Sequence, residues 1–146
     1  MPAGRSVLRS VSEALLEAWL PEPPPERADA LEAQVARIEA TLDALPPALQ
    51  REVEELLSLL TFPPGRIVFA GLWRDWPDAT VPQRQDALRS MARSSLALRR
   101  QAYHALRDIV VSSWFIEPAH WSAIGYPGQR PVHWSSSAAH PGARPT

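Results

Sequence analysis

DALEAQVARIEATLDALPPALQREVEELLSLL, residues 29–60, decides the fold. Leu31, Val35, Ile38, Leu42 and Leu45 recur at alternating steps of four and three, the spacing that aligns side chains on one face of an α-helix. Leu49, Val53, Leu56 and Leu60 repeat the pattern. Between the two seams stands Pro46-Pro47. Proline has no N–H and restricts the residue before it, so it ends the first helix, yet it suits the first turn of the next. Two seams of similar length across a short break predict an antiparallel helical hairpin.

Toward the N-terminus, Leu8, Val11, Leu15 and Trp19 form a stripe that predicts a helix over 6–20, stopped by the PEPPP run at 21–25. Glu13 and Glu17 interrupt its apolar part, which a secretory signal would leave uncharged. The expectation is a cytoplasmic chain that is not exported by a signal of its own.

Toward the C-terminus, IVFAGLWRDW at 67–76 has enough apolar residues for a strand, but no partner strand is visible. Ile67, Val68, Leu72 and Trp76 also fit helical spacing, so a short buried helix is the preferred reading. WPDATVPQ, 76–83, is a loop in which Thr80 or Asp78 caps the following helix, with Pro82 in its first turn. From Gln83 to Trp114 the pattern is helical, with Leu88, Met91, Ser95, Leu98, Ala102, Leu106, Ile109 and Val110 on one face. That length exceeds the usual globular helix and predicts a break near Ser94-Ser95, with Glu117-Pro118 as the end. Beyond it, Tyr126-Pro127-Gly128-Gln129 has the residues of a type II turn. Trp121, Ile124 and Trp134 flank that turn as an aromatic clamp over the bundle, whether to close the core or to meet a partner. Residues 135–146, SSSAAHPGARPT, read as a flexible tail. The fold class is therefore all-α: one domain over 6–134 of five to six helices with a C-terminal aromatic loop, its N-terminal helices at 6–60 and the remainder at 61–134.

Composition removes several functions. The formal charge of −1 opposes nucleic-acid binding, which needs a concentrated cationic surface. Cysteine is absent, which excludes disulfides, thiolate metal sites and a thiol nucleophile. No apolar run reaches the roughly 18 residues of a membrane span. All fifteen basic residues are arginine, which a GC-rich genome explains first, although arginine also suits planar ion pairs at interfaces better than lysine does.

Catalytic patterns are equally sparse. Ser94, Ser95, Ser112, Ser113 and Ser122 lie on or beside predicted helices, outside any G-x-S-x-G elbow. His104 falls mid-helix and reads as a surface residue. His120 and His133 flank the aromatic loop, where a shared metal is the rival reading, but H-x-x-x-H spacing is missing and no carboxylate completes the set. Asp75 and Asp78 stand among tryptophans, with capping preferred over catalysis. The six glycines are scattered and form no phosphate-binding loop. Within Leu98-Arg99-Arg100, adjacent arginines point about 100° apart on a helix, so at most one faces inward. Such an arginine anchors a partner or an internal carboxylate, or is simply solvated.

One series of residues resembles a known family. Arg84, Met91, Ser94, Leu98-Arg99-Arg100, Tyr103, Leu106 and Trp114-Phe115 lead to W-x-x-I-G-Y-P-G at Trp121–Gly128. Over residues 69–128 this resembles the family typified by subunit 3 of gluconate 2-dehydrogenase, and it is similar to the helical region before the flavin domain of some long-chain alcohol oxidases. Met91 stands where the family often has Trp, and Gln129 where it often has Pro. Many members also begin with a twin-arginine signal, which would place the complex in the periplasm if one was removed here or is carried by the partner. The resemblance implies a non-catalytic small subunit. Its partner would be a large FAD-dependent dehydrogenase of the glucose–methanol–choline type acting on alcohol groups of sugars or related substrates. A cytochrome or other electron-acceptor subunit joins some such complexes. FAD would belong to the large chain, with no cofactor in this one. The interface would comprise Trp121, Ile124, Gly125, Tyr126, Pro127, Gly128, Trp134, Arg99, Arg100 and Trp114. The alternative is a free-standing helical adaptor or regulator with no redox partner.

Overall fold

The computed structural model describes residues 2–120. They form six α-helices and no strand: α1 (Pro2–Leu15), α2 (Pro24–Asp43), α3 (Pro47–Thr61), α4 (Pro63–Ala70), α5 (Val81–Ala92) and α6 (Ala97–Trp114). Single 3₁₀ turns stand at Glu17–Trp19 and Trp76–Asp78. Among the described residues, no helix is long and apolar enough to cross a membrane.

Proline positions the helix starts. Pro24, Pro47 and Pro63 each lie in a first turn, where the missing N–H costs nothing because that donor has no intrahelical partner. The start of α5 is built differently. Thr80 Oγ1 accepts from the Gln83 N–H at 3.2 Å, and Gln83 Oε1 accepts from the Thr80 N–H at 2.9 Å. This reciprocal capping box makes Thr80 the cap, with Pro82 behind it. Asp78 lies in the preceding 3₁₀ turn, which is capped by Asp75 accepting from the Trp76 N–H.

α1 is the hub, packing against α2, α3, α5 and α6. Val7, Leu8, Val11, Ala14 and Leu16 are all buried along it. The predicted stripe slips by one residue at its end, because α1 stops at Leu15 and the chain tightens into a 3₁₀ turn. Leu16 thus enters the core, while Leu15 and Trp19 are only partly buried. Trp19 meets Phe115 edge to face, with centroids 5.5 Å apart.

The hairpin expectation needs correction. α2 and α3 follow one another across Pro46-Pro47, but each lays its apolar side on α1 and they scarcely touch each other. A cleft of about 460 Å³ separates them, floored by Leu8, Leu42, Val53 and Leu57. On α2 the predicted seam holds, with Leu31, Val35 and Ile38 buried. On α3 it turns outward at its start: Leu57 and Leu60 are buried and Leu49 is exposed.

The short helix begins earlier than expected, at Pro63, and ends at Gly71, whose φ of +67° is left-handed and whose N–H returns to the Ile67 carbonyl at 2.9 Å. Gly65 is fixed by close approach rather than by φ: a Cβ there would fall 2.1 Å from the Leu59 carbonyl oxygen, where α4 folds back on α3. The expected break in the long C-terminal helix is present at 93–96, where Ser94 Oγ accepts from the Leu96 N–H. Leu88, Met91, Ala102, Leu106 and Val110 are buried as expected. Ser95 and Leu98 are not, because the break rotates the start of α6 and leaves both outside. α6 ends at Trp114, three residues before Glu117-Pro118.

Candidate functional site

Residues 71–80 link α4 to α5, and buried arginines hold them. Arg66 donates from Nε to the Leu72 carbonyl and from Nη2 to the Trp73 carbonyl, both at 3.0 Å. Arg84 donates from Nε to the Trp76 carbonyl at 2.7 Å and from Nη2 to the Pro77 carbonyl at 3.2 Å. A connection near the core has few water partners for its carbonyls, and these guanidinium donors supply them. Trp76, fully buried, is fastened by its indole N–H to the Leu60 carbonyl at 3.1 Å.

Arg84 also joins α5 to α1 through Glu13, its Nη1 lying 2.8 Å from Glu13 Oε1. Arg27 binds the other carboxylate oxygen at 3.0 Å and reaches Glu17 as well. Burial alone would raise the Glu13 carboxyl. The hydrogen bonds and charges of Arg27 and Arg84 outweigh it and hold the group below its ordinary value. A carboxyl depressed on folding contributes stability that is complete above its unfolded pKa and is lost as pH falls through its folded value. Glu13→Gln is therefore less stable than wild type at neutral pH, with the gap closing below about pH 4. Denaturant titrations across acidic pH check this; a gap that stays constant down to about pH 3 contradicts it.

At the end of α6, Trp114 is buried, with an imidazole and a guanidinium against its indole. His120 stacks on it at 3.6 Å between centroids and 9° between planes, and the Arg37 guanidinium lies 5.6 Å from the indole centroid. His120 Nδ1 donates to the Trp114 carbonyl at 2.7 Å. Burial lowers the Arg37 pKa, with the Glu117 charge opposing it. The Trp114 indole N–H has no hydrogen-bond partner among the described residues.

The residues expected at a partner interface divide into two groups. Trp121, Ile124, Gly125, Tyr126, Pro127, Gly128 and Trp134 lie outside the described residues, as do His133 and the 135–146 segment. Trp114, Arg99 and Arg100 lie inside them and are engaged within the chain. Arg99 donates to the Phe69 carbonyl at 2.9 Å and to the hydroxyls of Ser90 and Ser94; Arg100 donates to the Ser94 carbonyl at 2.8 Å. Both arginines therefore brace the α5–α6 break, and Arg99 ties it to the end of α4. Among the described residues, no cluster of His, Asp and Glu is arranged to hold a metal, and His104 is exposed on α6.

What periodicity missed is a set of exposed large apolar side chains on α4, in the connection after it and at the start of α6. Trp73 is 78% exposed, Leu98 66%, Val68 63% and Leu96 60%. Trp73 lines a cleft of about 380 Å³ together with Leu72, Arg74, Asp86 and Ser90. Trp73 and Trp76 are three apart, and the buried ring is the one bonded to Leu60. Compared with family models, with curated proteins and with solved structures, the chain matches none.

Proposed function

We propose that this chain is the non-catalytic small subunit of an oxidoreductase complex. It binds and stabilises a large FAD-dependent dehydrogenase of the glucose–methanol–choline type that oxidises alcohol groups of sugars or related substrates. The observation that carries the reading is the ordered series from Arg84 to the W-x-x-I-G-Y-P-G stretch at Trp121–Gly128, which resembles subunit 3 of gluconate 2-dehydrogenase. Two features of the fold support it. The buried Arg66 and Arg84 are engaged with backbone carbonyls, and Arg84 with the part-buried Glu13 as well. Large apolar side chains on α4, in the connection after it and at the start of α6 also stand exposed to solvent, Trp73 most of all.

In this reading FAD and the reacting groups belong to the large chain, and the small one acts by mass action, favouring the folded form it binds. The test is co-expression with a glucose–methanol–choline-type flavoprotein from the same genome, with purification by a tag on this chain. The expected product is a yellow stoichiometric complex in which the flavoprotein melts at a higher temperature than it does alone. Trp121→Ala or Tyr126→Ala weakens the complex by about 2–4 kcal/mol, the range for truncating a central interface aromatic. Recovery of a colourless single chain, with the flavoprotein unaffected, refutes the proposal and favours the free-standing adaptor.

A further inference from the structure

In the cleft between α2 and α3 the core meets solvent. Leu8 and Leu57 are buried at its floor, while Leu42 of α2 and Val53 of α3 are only partly buried. Covering what remains of their apolar surface is favourable. The rim is acidic. Arg5 lies there, but Glu32 and Glu39 hold it at 3.1 and 2.7 Å. Asp43 and Glu54 also line the cleft and make no ion pair among the described residues. Arg51, the arginine of α3, is not part of the lining. The occupant that fits carries a large apolar side chain and a cation close together, without a carboxylate.

The chain after His120 has that composition. Residues 118–146 contain no Asp or Glu, and Arg130 follows Tyr126 by four residues. It also sets out from the right place. α6 ends on α2: Gln34 Nε2 donates to the Val110 carbonyl at 3.0 Å, and Arg37 lies over the Trp114 ring. Ser113 Oγ is 3.5 Å from Thr41 Oγ1. Glu39, Leu42 and Asp43 belong to the same turns of α2 but, at 100° per residue, to its opposite face. A helix is roughly 10–12 Å across, so about five or six residues of extended chain go around it. Counted from His120, that distance ends at Tyr126. The Trp114 indole N–H, buried beside His120, finds no acceptor among the described residues. A buried donor left unpaired is costly, and the residues directly after His120 are the next in the chain that can supply a carbonyl.

We propose that residues 121–134 pass around the C-terminal end of α2 and close the α2–α3 cleft of their own chain, with Tyr126 on Leu42 and Val53 and Arg130 against Asp43 and Glu54. The assignment does not depend on the small-subunit reading, but it bears on it. A partner that takes up Tyr126 must first draw it from the cleft, so its apparent affinity is lowered by the fraction of chains in which the segment is free.

Nuclear magnetic resonance of the full-length chain, with Leu and Val methyl groups assigned, tests this. In wild type the Tyr126 ring shows nuclear Overhauser contacts to the Leu42 and Val53 methyl groups. Tyr126→Ala shifts those methyl signals and leaves the signals of Leu59, which lies on the other face of α3, in place. Arg130→Glu sets a third negative charge beside Asp43 and Glu54, and it weakens the Tyr126 contacts. A wild-type Tyr126 ring that contacts neither methyl overturns the assignment, as does a Tyr126→Ala spectrum in which Leu42 and Val53 are unmoved. Mixing differently labelled copies excludes exchange between chains. Contacts that arise only between copies make a second chain the occupant and overturn it too.

Discussion

Trp76→Ala lowers the stability of this protein by about 3–5 kcal/mol, the cost of deleting a large buried aromatic and leaving part of its volume empty. Trp76 is fully buried in the central cluster beneath α1, where the loop from α4 returns to start α5. Its indole N–H is also the partner of the Leu60 carbonyl at the end of α3, and stranding a buried acceptor adds to the loss. Small domains have about 5–15 kcal/mol in total, so the variant retains only part of its margin. Thermal unfolding followed by circular dichroism should show a midpoint lower by roughly 10–20 °C. Trp76→Phe separates the two contributions: it keeps most of the ring volume and loses the hydrogen bond, so its deficit should be about 1 kcal/mol. A Trp76→Ala protein that melts within about 3 °C of wild type would mean that the ring closes no core.

Arg84→Met is expected to cost nearly as much, about 3–5 kcal/mol, although it removes a charge rather than a hydrophobe. The guanidinium serves three acceptors at once: the Trp76 carbonyl, the Pro77 carbonyl and the Glu13 carboxylate. Methionine matches the stem of arginine but leaves two carbonyls and a largely buried carboxylate short of donors. Because Glu13 shares the network, Arg84→Met and Glu13→Gln should not add. In the double variant the carboxylate is already neutral, and the loss should be smaller than the sum by 1 kcal/mol or more, within the range for coupled residues. Chemical denaturation of the four proteins in this cycle measures the coupling directly. Strict additivity would show that Arg84 acts only through the two carbonyls.

The contrast between these sites shows how much the sequence discloses. Helix identity came through wherever a seam and a stop signal agreed: Leu31, Val35 and Ile38 before Pro46-Pro47, and Leu88 and Met91 before the Ser94-Ser95 break. The cap of α5 was narrowed to Thr80 or Asp78, and the reciprocal bonds with Gln83 decide for Thr80. Phase was less secure. Leu15 and Leu16 are both apolar, so only the 3₁₀ turn after α1 decides which enters the core. Pro63-Pro64 and Gly71 stand at the two ends of α4, but the apolar run at 67–76 drew the predicted helix toward its C-terminal side. The hairpin expectation failed because a seam says that a face is covered, not by what; α1 arrives from earlier in the chain to cover both.

The site was less readable still. Buried arginines are rare unless paired, and the partners of Arg66 and Arg84 are mostly backbone carbonyls, which every residue has and no motif marks. Arg99 was singled out by its position in Leu98-Arg99-Arg100, and it proves to be engaged with Phe69, Ser90 and Ser94, none of which its helical spacing could predict. The residues quoted for the partner loop, Trp121 to Trp134, lie outside the described part of the chain, so their placement adds nothing to what the sequence says of them.

Tying a core connection with guanidinium groups has a consequence for substitution. Lysine brings the same charge on a single nitrogen, so neither Arg66→Lys nor Arg84→Lys can span the pair of carbonyls that each planar fork holds. Acid, for its part, loosens the tie of α1 to α5 as it neutralises Glu13.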